Sequence, residues 1–130
     1  MPFVHVRTHG VALARRETDR LAGEMTRLMA EMMGKKRELS AVLVEPVADG
    51  AWTVGGEAVP RAAHVEATVT DGTNSEAEKA GFVAGAMAAL RDVLGEALPL
   101  ATYVVVRQVP ADAWGYDGRT QAERKASAGR

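Results

Sequence analysis

The feature that most limits what this chain can fold into is an internal duplication. Shifting the sequence by 62 residues puts Gly10 on Gly72, Leu21 on Val83, Met25 on Met87, Leu28 on Leu90, Leu43 on Val105 and Trp52 on Trp114, without a gap. A helical apolar stripe and a rare tryptophan recur together at one offset, so the chain reads as two copies of one unit. The units run from about 1–62 and 63–120 within a single domain over residues 1–130, and a charged C-terminal tail follows.

Each copy has the same order of elements. "PFVHVRTH" alternates Val4 and Val6 with His5 and Arg7, which is the pattern of a half-buried strand. From about Arg15 to Met33, the spacing of Leu21, Met25, Leu28 and Met32 gives a helix with one apolar face, and Gly34 stops it. "LSAVLVEPV" is a second strand, and "ADGAWTVGG" supplies turn residues. The second copy repeats this with "HVEATVTDG", a helix from about Ser75 to Leu94 capped by Ser75, and "LATYVVVRQV". The end, "GRTQAERKASAGR", is small and charged and is expected to fray.

A strand, helix and strand of these lengths form a right-handed crossover between parallel strands. The fold class is therefore α+β, built from tandem β-α-β (α/β) repeats: a four-stranded sheet with two helices on one face. Strands such as "YVVVRQV" and "AVLVEPV" are apolar in both parities, so the bare sheet face should be covered by further copies of the chain. A homo-oligomer is expected.

Composition removes several function classes. Sixteen basic residues against 17 acidic ones leave a net charge of -1, which gives no long-range attraction for nucleic acid or an anionic membrane. No apolar run is long enough for a membrane helix, and no secretory or transit pattern is seen, so a cytoplasmic location is expected. The chain has no cysteine, which excludes disulfides and thiol nucleophiles. His5, His9 and His64 lack the acidic partners of a zinc set, and the glycines do not follow phosphate-loop spacing. No metal and no cofactor is expected.

These residues resemble the tautomerase superfamily, whose founding member is 4-oxalocrotonate tautomerase. "MPFV", the duplicated β-α-β unit and the "GAWTVGGE" hairpin carry the resemblance over nearly the whole chain. It implies a fused two-unit member, a homotrimer, and an initiating methionine removed so that the Pro2 nitrogen becomes the catalyst. The alternative for Pro2 is structural, since proline is commonly the first residue of a strand. A freed secondary amine near neutral pKa is a suitable general base for keto–enol isomerisation of a small carbonyl or enol substrate. The same amine could serve a hydratase, dehalogenase or decarboxylase, with Glu45, Glu57 or Asp117 activating water. A catalytically silent trimeric binding protein is the third reading.

The family's two arginines fall on Val11 or Thr73 and on Ala41 or Tyr103 here, so neither cation is present at its own position. Tyr103 could instead donate a hydrogen bond to a substrate oxygen or lie at a subunit contact. Arg107 shares its strand parity and is either a ligand or an ion-paired strand residue. Arg7 is a further replacement candidate, with pairing to an acid across the sheet or the interface the favoured reading. Trp52 stands where the family has an aromatic residue that makes the proline pocket apolar, and Trp114 is its duplicate; both also suit hairpin anchors at an interface. At the repeat offset Pro2 falls on His64, whose backbone nitrogen is an amide; it is read as a structural or partly exposed histidine, the alternative being a vestigial or auxiliary role.

Overall fold

The alternation in each half produces paired strands whose register sets everything else. In the computed structural model, which describes residues 2–128, β1 (Phe3–His9) leads through α1 (Arg15–Glu31) and a 3₁₀ turn to β2 (Ala41–Pro46). A hairpin of β3 (Thr53–Val54) and β4 (Glu57–Ala58) ends the first unit. The second unit repeats the order with β5 (Ala62–Thr70), α2 (Glu76–Leu94), β6 (Val104–Val109) and the hairpin β7 (Gly115–Tyr116) and β8 (Arg119–Thr120). The sheet order is β2-β1-β5-β6. Within each unit the strands are parallel, and the two units join through antiparallel β1 and β5. The expected four-stranded sheet is present.

The core lies between the sheet and the helices. Val4, Val6, Val65, Ala67 and Val69 project from the central strands onto Leu21, Met25, Leu28 and Met29 of α1 and Phe82, Ala86 and Leu90 of α2, all buried. Met32, expected on the apolar stripe, is exposed. Helix α1 ends at Glu31, and the chain that turns away through Gly34 sends Met33 inward in its place. The helices meet closely because α2 has glycines at the contact: a Cβ on Gly85 would lie 2.6 Å from Leu28 Cδ2.

Helix α2 starts as its sequence predicts. Ser75 Oγ accepts from the Glu78 backbone N–H at 3.1 Å, and the Glu78 carboxylate accepts from Ser75 N–H at 2.8 Å. This reciprocal pair satisfies two amides that the helix cannot. The C-terminal segment departs from expectation. Its first residues close the β7–β8 hairpin, and Gln121–Ala128 form a third helix, α3. The same capping chemistry explains it: Thr120 Oγ1 accepts from Glu123 N–H, and Glu123 accepts from Thr120 N–H. Arg124 of α3 then stacks over the Tyr116 ring at 3.7 Å and donates to the Tyr116 carbonyl. Residues 129–130 of the tail lie outside the described residues.

The other sheet face carries no helix. Register aligns three rows across it: Ala41, Phe3, Thr68 and Arg107; Leu43, His5, Glu66 and Val105; then Glu45, Arg7 and His64, with Tyr103 just before β6. Phe3, Leu43, Tyr103 and Val105 are exposed there. Among the described residues no helix is long and apolar enough to cross a membrane.

Two outcomes test the packing. Phe82→Ala, which empties a fully buried site, should cost about 3–5 kcal/mol in a denaturant melt. Ser75→Ala should cost about 1 kcal/mol. The Ser75 amide, then the Asn74 side chain, hold the Glu78 carboxyl below the usual carboxylate range. Its contribution is therefore present above the unfolded carboxylate pKa and is lost as pH falls through the lowered folded value. The stability gap between wild type and Glu78→Gln should narrow on acidification over that window.

Candidate functional site

Pro2 sits at the start of β1 with its ring buried, on the parity of Val4 and Val6. Its carbonyl accepts from the Ala41 N–H at 3.2 Å, which ties it to the start of β2. Whether Met1 is removed lies outside the described residues. The antiparallel register that pairs Phe3 with Thr68 places the C-terminal end of β5 alongside Pro2. Whatever that end of β5 carries is therefore Pro2's neighbourhood.

It carries the second unit's hairpin. Trp114 Nε1–H donates to Thr70 Oγ1 at 3.1 Å, anchoring the β7–β8 hairpin at the Pro2 end of the sheet. Asp117 is at the tip of this hairpin, with φ of 50°, beside Gly118. Of the three carboxylates considered for activating water, it alone belongs to this end. Glu45 is at the far end of β2 and Glu57 is on the other hairpin. Arg107 also lies toward this end, two strands from Phe3, or roughly 10 Å. It faces the open side and pairs with Glu66 at 3.3 Å.

Trp52 and Tyr103, which the sequence reading grouped with Pro2, are at the opposite end. Trp52 stacks on His9 with ring centroids 6.4 Å apart. The six residue steps of β1 separate this end from Pro2 by about 20 Å. The His9 ring is buried and holds the β3–β4 hairpin, with Nδ1 3.4 Å from the Val47 carbonyl oxygen and Nε2 3.1 Å from that of Val59. Trp52 and Tyr103 line a hollow of about 290 Å³ together with His64, the repeat partner of Pro2. Within one chain, then, the structure divides the candidate set: Pro2, Trp114 and Arg107 lie toward one end, Trp52 and Tyr103 at the other. The reason is topological. Antiparallel pairing brings the end of each unit's first strand, with its hairpin, to the beginning of the other's.

One residue at the Pro2 end escaped the sequence reading. Lys35, in the connection after α1, donates from Nζ to Thr73 Oγ1 at 2.8 Å, and Thr73 in turn donates to the Thr70 carbonyl at 2.6 Å. Thr73 is a position where the family resemblance led us to look for an arginine. A cation therefore stands beside the position that lacks its own. Burial pushes the Lys35 ammonium below the usual lysine range, with the Glu78 carboxylate partly opposing. Its single signal in sequence was a lysine just past the helix-ending Gly34, which pointed nowhere until the fold placed it against Thr73.

A duplicated β-α-β sheet, with a strand-start proline and an aromatic hairpin folded back to it, defines a class of small mixed-sheet proteins. Residues 2–61 match the model for Tautomerase, described as tautomerase enzyme. Three solved structures share the fold over almost the whole chain. Pt0534 inactivated by 2-oxo-3-pentynoate has 14% identity and a TM-score of 0.83, with 98% of this chain and 99% of that one covered. A wild-type fused 4-OT asymmetric trimer has 20% identity and a TM-score of 0.80 over the same shares. N1, a member of the cis-3-chloroacrylic acid dehalogenase family, has 19% identity and a TM-score of 0.81 over 97% and 90%. No curated protein matches by sequence. The family match spans the first unit, and the solved structures share the fold of the whole chain.

The hairpin anchor can be tested directly. Thr70→Val removes the acceptor of the Trp114 indole and should cost about 1 kcal/mol. Amide exchange should accelerate over residues 115–120 and remain unchanged over 53–58.

Proposed function

We propose that the chain is a cofactor-independent tautomerase in which Pro2, freed by loss of Met1, is the general base toward a small carbonyl or enol substrate. The observation that carries this reading is the position of Pro2 at the sheet end where the Trp114 hairpin and the Lys35 ammonium also gather. A secondary α-amine titrates near pH 8 when exposed, and apolar surroundings with a nearby ammonium favour its neutral form. The neutral amine takes a proton from the carbon or enol oxygen next to the carbonyl and returns it at the other site. The charge that develops on the carbonyl oxygen needs a donor, and Lys35, with two N–H groups beyond the one given to Thr73, suits that part or the holding of a substrate carboxylate. Trp114 supplies the apolar wall. Arg107 is a ligand only on exchanging Glu66 for substrate.

The exposed row of Phe3, Leu43 and Val105, together with the trimeric fused 4-OT neighbour, supports a homotrimer with the open sheet face covered by the other protomers. In such an assembly Trp52 and Tyr103 of one protomer could contribute to the site of another.

A second reading has one observation in its favour. The fold is shared with a cis-3-chloroacrylic acid dehalogenase family member, and Asp117 lies on the hairpin at the Pro2 end, where it could activate water. There the protonated proline would act as acid.

Intact mass of the untagged protein should show loss of Met1, and Pro2→Ala should lower kcat/KM for ketonisation of phenylenolpyruvate by about a hundredfold or more. A retained methionine, or a rate indifferent to the substitution, leaves Pro2 a strand-start residue. Lys35→Met should lower kcat/KM about tenfold, the scale of one charge-assisted hydrogen bond.

A further inference from the structure

Both nitrogens of the buried His9 ring face carbonyl oxygens, one acceptor more than a neutral imidazole can serve. Nε2 lies 3.1 Å from the Val59 oxygen, and Nδ1 lies 3.4 Å from the Val47 oxygen. A neutral ring carries one N–H, so its other nitrogen turns a lone pair toward a carbonyl lone pair; the protonated ring donates to both. We propose that His9 is a proton-operated latch on the β3–β4 hairpin, which it closes when charged and loosens when neutral. The latch is independent of the chemistry at Pro2.

Neither carbonyl is free to turn away. Val47 N–H donates to the Thr8 carbonyl at 2.7 Å, which ties Val47 to the end of β1. Val59 N–H donates to the Trp52 carbonyl at 3.3 Å, and the next residue, Pro60, crosses Gly10 so closely that a Cβ on Gly10 would collide with the Pro60 carbonyl. Among the described residues the Val47 and Val59 oxygens take no hydrogen bond from any other group. Trp52 stacks on the ring and holds it in place. Every one of these contacts lies within one chain, and His9 is only 6% exposed there. A protomer packed on the open sheet face therefore leaves the arrangement intact.

The surrounding charges leave His9 as the group that switches. Asp49, in the β2–β3 connection, places Oδ1 3.8 Å from Nδ1 and favours the charged ring, although its side chain is fully exposed and screened by salt. Arg7 of β1, whose charge Glu45 meets, and His64 of β5 line a hollow with Trp52 that does not include His9. Arg61, just after the hairpin, turns its guanidinium to the Leu94 carbonyl at 2.5 Å, and Glu57 of β4 is exposed. A closed hairpin that prefers the protonated ring holds its proton more tightly than an open one. Closure is thus strongest at the acid end of the imidazole range and weakens as pH rises through it.

The duplication supplies an internal control, because Asp71 stands at the repeat position of His9 and the second hairpin is held by the Trp114 indole on Thr70. The test is amide hydrogen exchange of the intact ¹⁵N-labelled protein from about pH 5 to 8, each rate divided by its intrinsic value at that pH. Protection over residues 53–59 should fall about tenfold across this range, the scale of one hydrogen bond, while protection over 115–120 holds. The fall should share its midpoint with the His9 ring ¹⁵N signals. His9→Gln should flatten the dependence, and His64→Gln and Asp49→Asn should keep it. Protection that is flat or rises with pH in the wild type overturns the proposal, as does a fall that persists in His9→Gln or vanishes in His64→Gln. Should His9→Gln not fold, the wild type decides: a ring midpoint separate from the exchange midpoint overturns the latch.

Discussion

The antiparallel pairing of β1 with β5 is the contact on which the rest of the molecule depends. Each β-α-β unit has two parallel strands and one helix, too little surface to bury its own apolar residues. Joined through β1 and β5, the two units form a four-stranded sheet whose central strands present Val4, Val6, Val65, Ala67 and Val69 to both helices at once. A one-residue slip would turn these five side chains to the open face and bring Arg7, His64 and Glu66 into the core. Burial of the valines thus specifies the register, and the register decides which functional groups meet.

The same pairing exchanges the hairpins. Because β1 and β5 run in opposite directions, the end of each lies beside the beginning of the other. Trp114 of the second unit thereby comes to Pro2, and Trp52 of the first comes to His64. The two ends have the same architecture and different chemistry. One has a strand-start proline with Lys35 and Asp117 nearby; the other has an imidazole, a phenol and a guanidinium. Duplication followed by divergence of a few side chains thus leaves one scaffold with two ends of different chemistry.

The open face shows how charge is used here. His5 and Arg7 share Glu45, and Arg107 takes Glu66, all partly exposed. Pairs of this kind contribute little stability. Their effect is to leave an apolar patch broken by matched charges, a surface suited to a partner of the same kind and resistant to indiscriminate association.

Sequence alone determined the duplication, the strand and helix order, the capped start of α2 and the bare sheet face, because periodicity and capping act between residues a few positions apart. It also contained the Thr120–Glu123 capping pair that starts α3, hidden beneath a composition that suggested fraying. Tertiary structure alone decided which tryptophan attends Pro2, that Tyr103 belongs with His64, and that Lys35 stands where an arginine was sought. Those facts depend on the direction in which two distant strands pair and on where a connection settles once a helix has packed. No local pattern in the chain encodes either one.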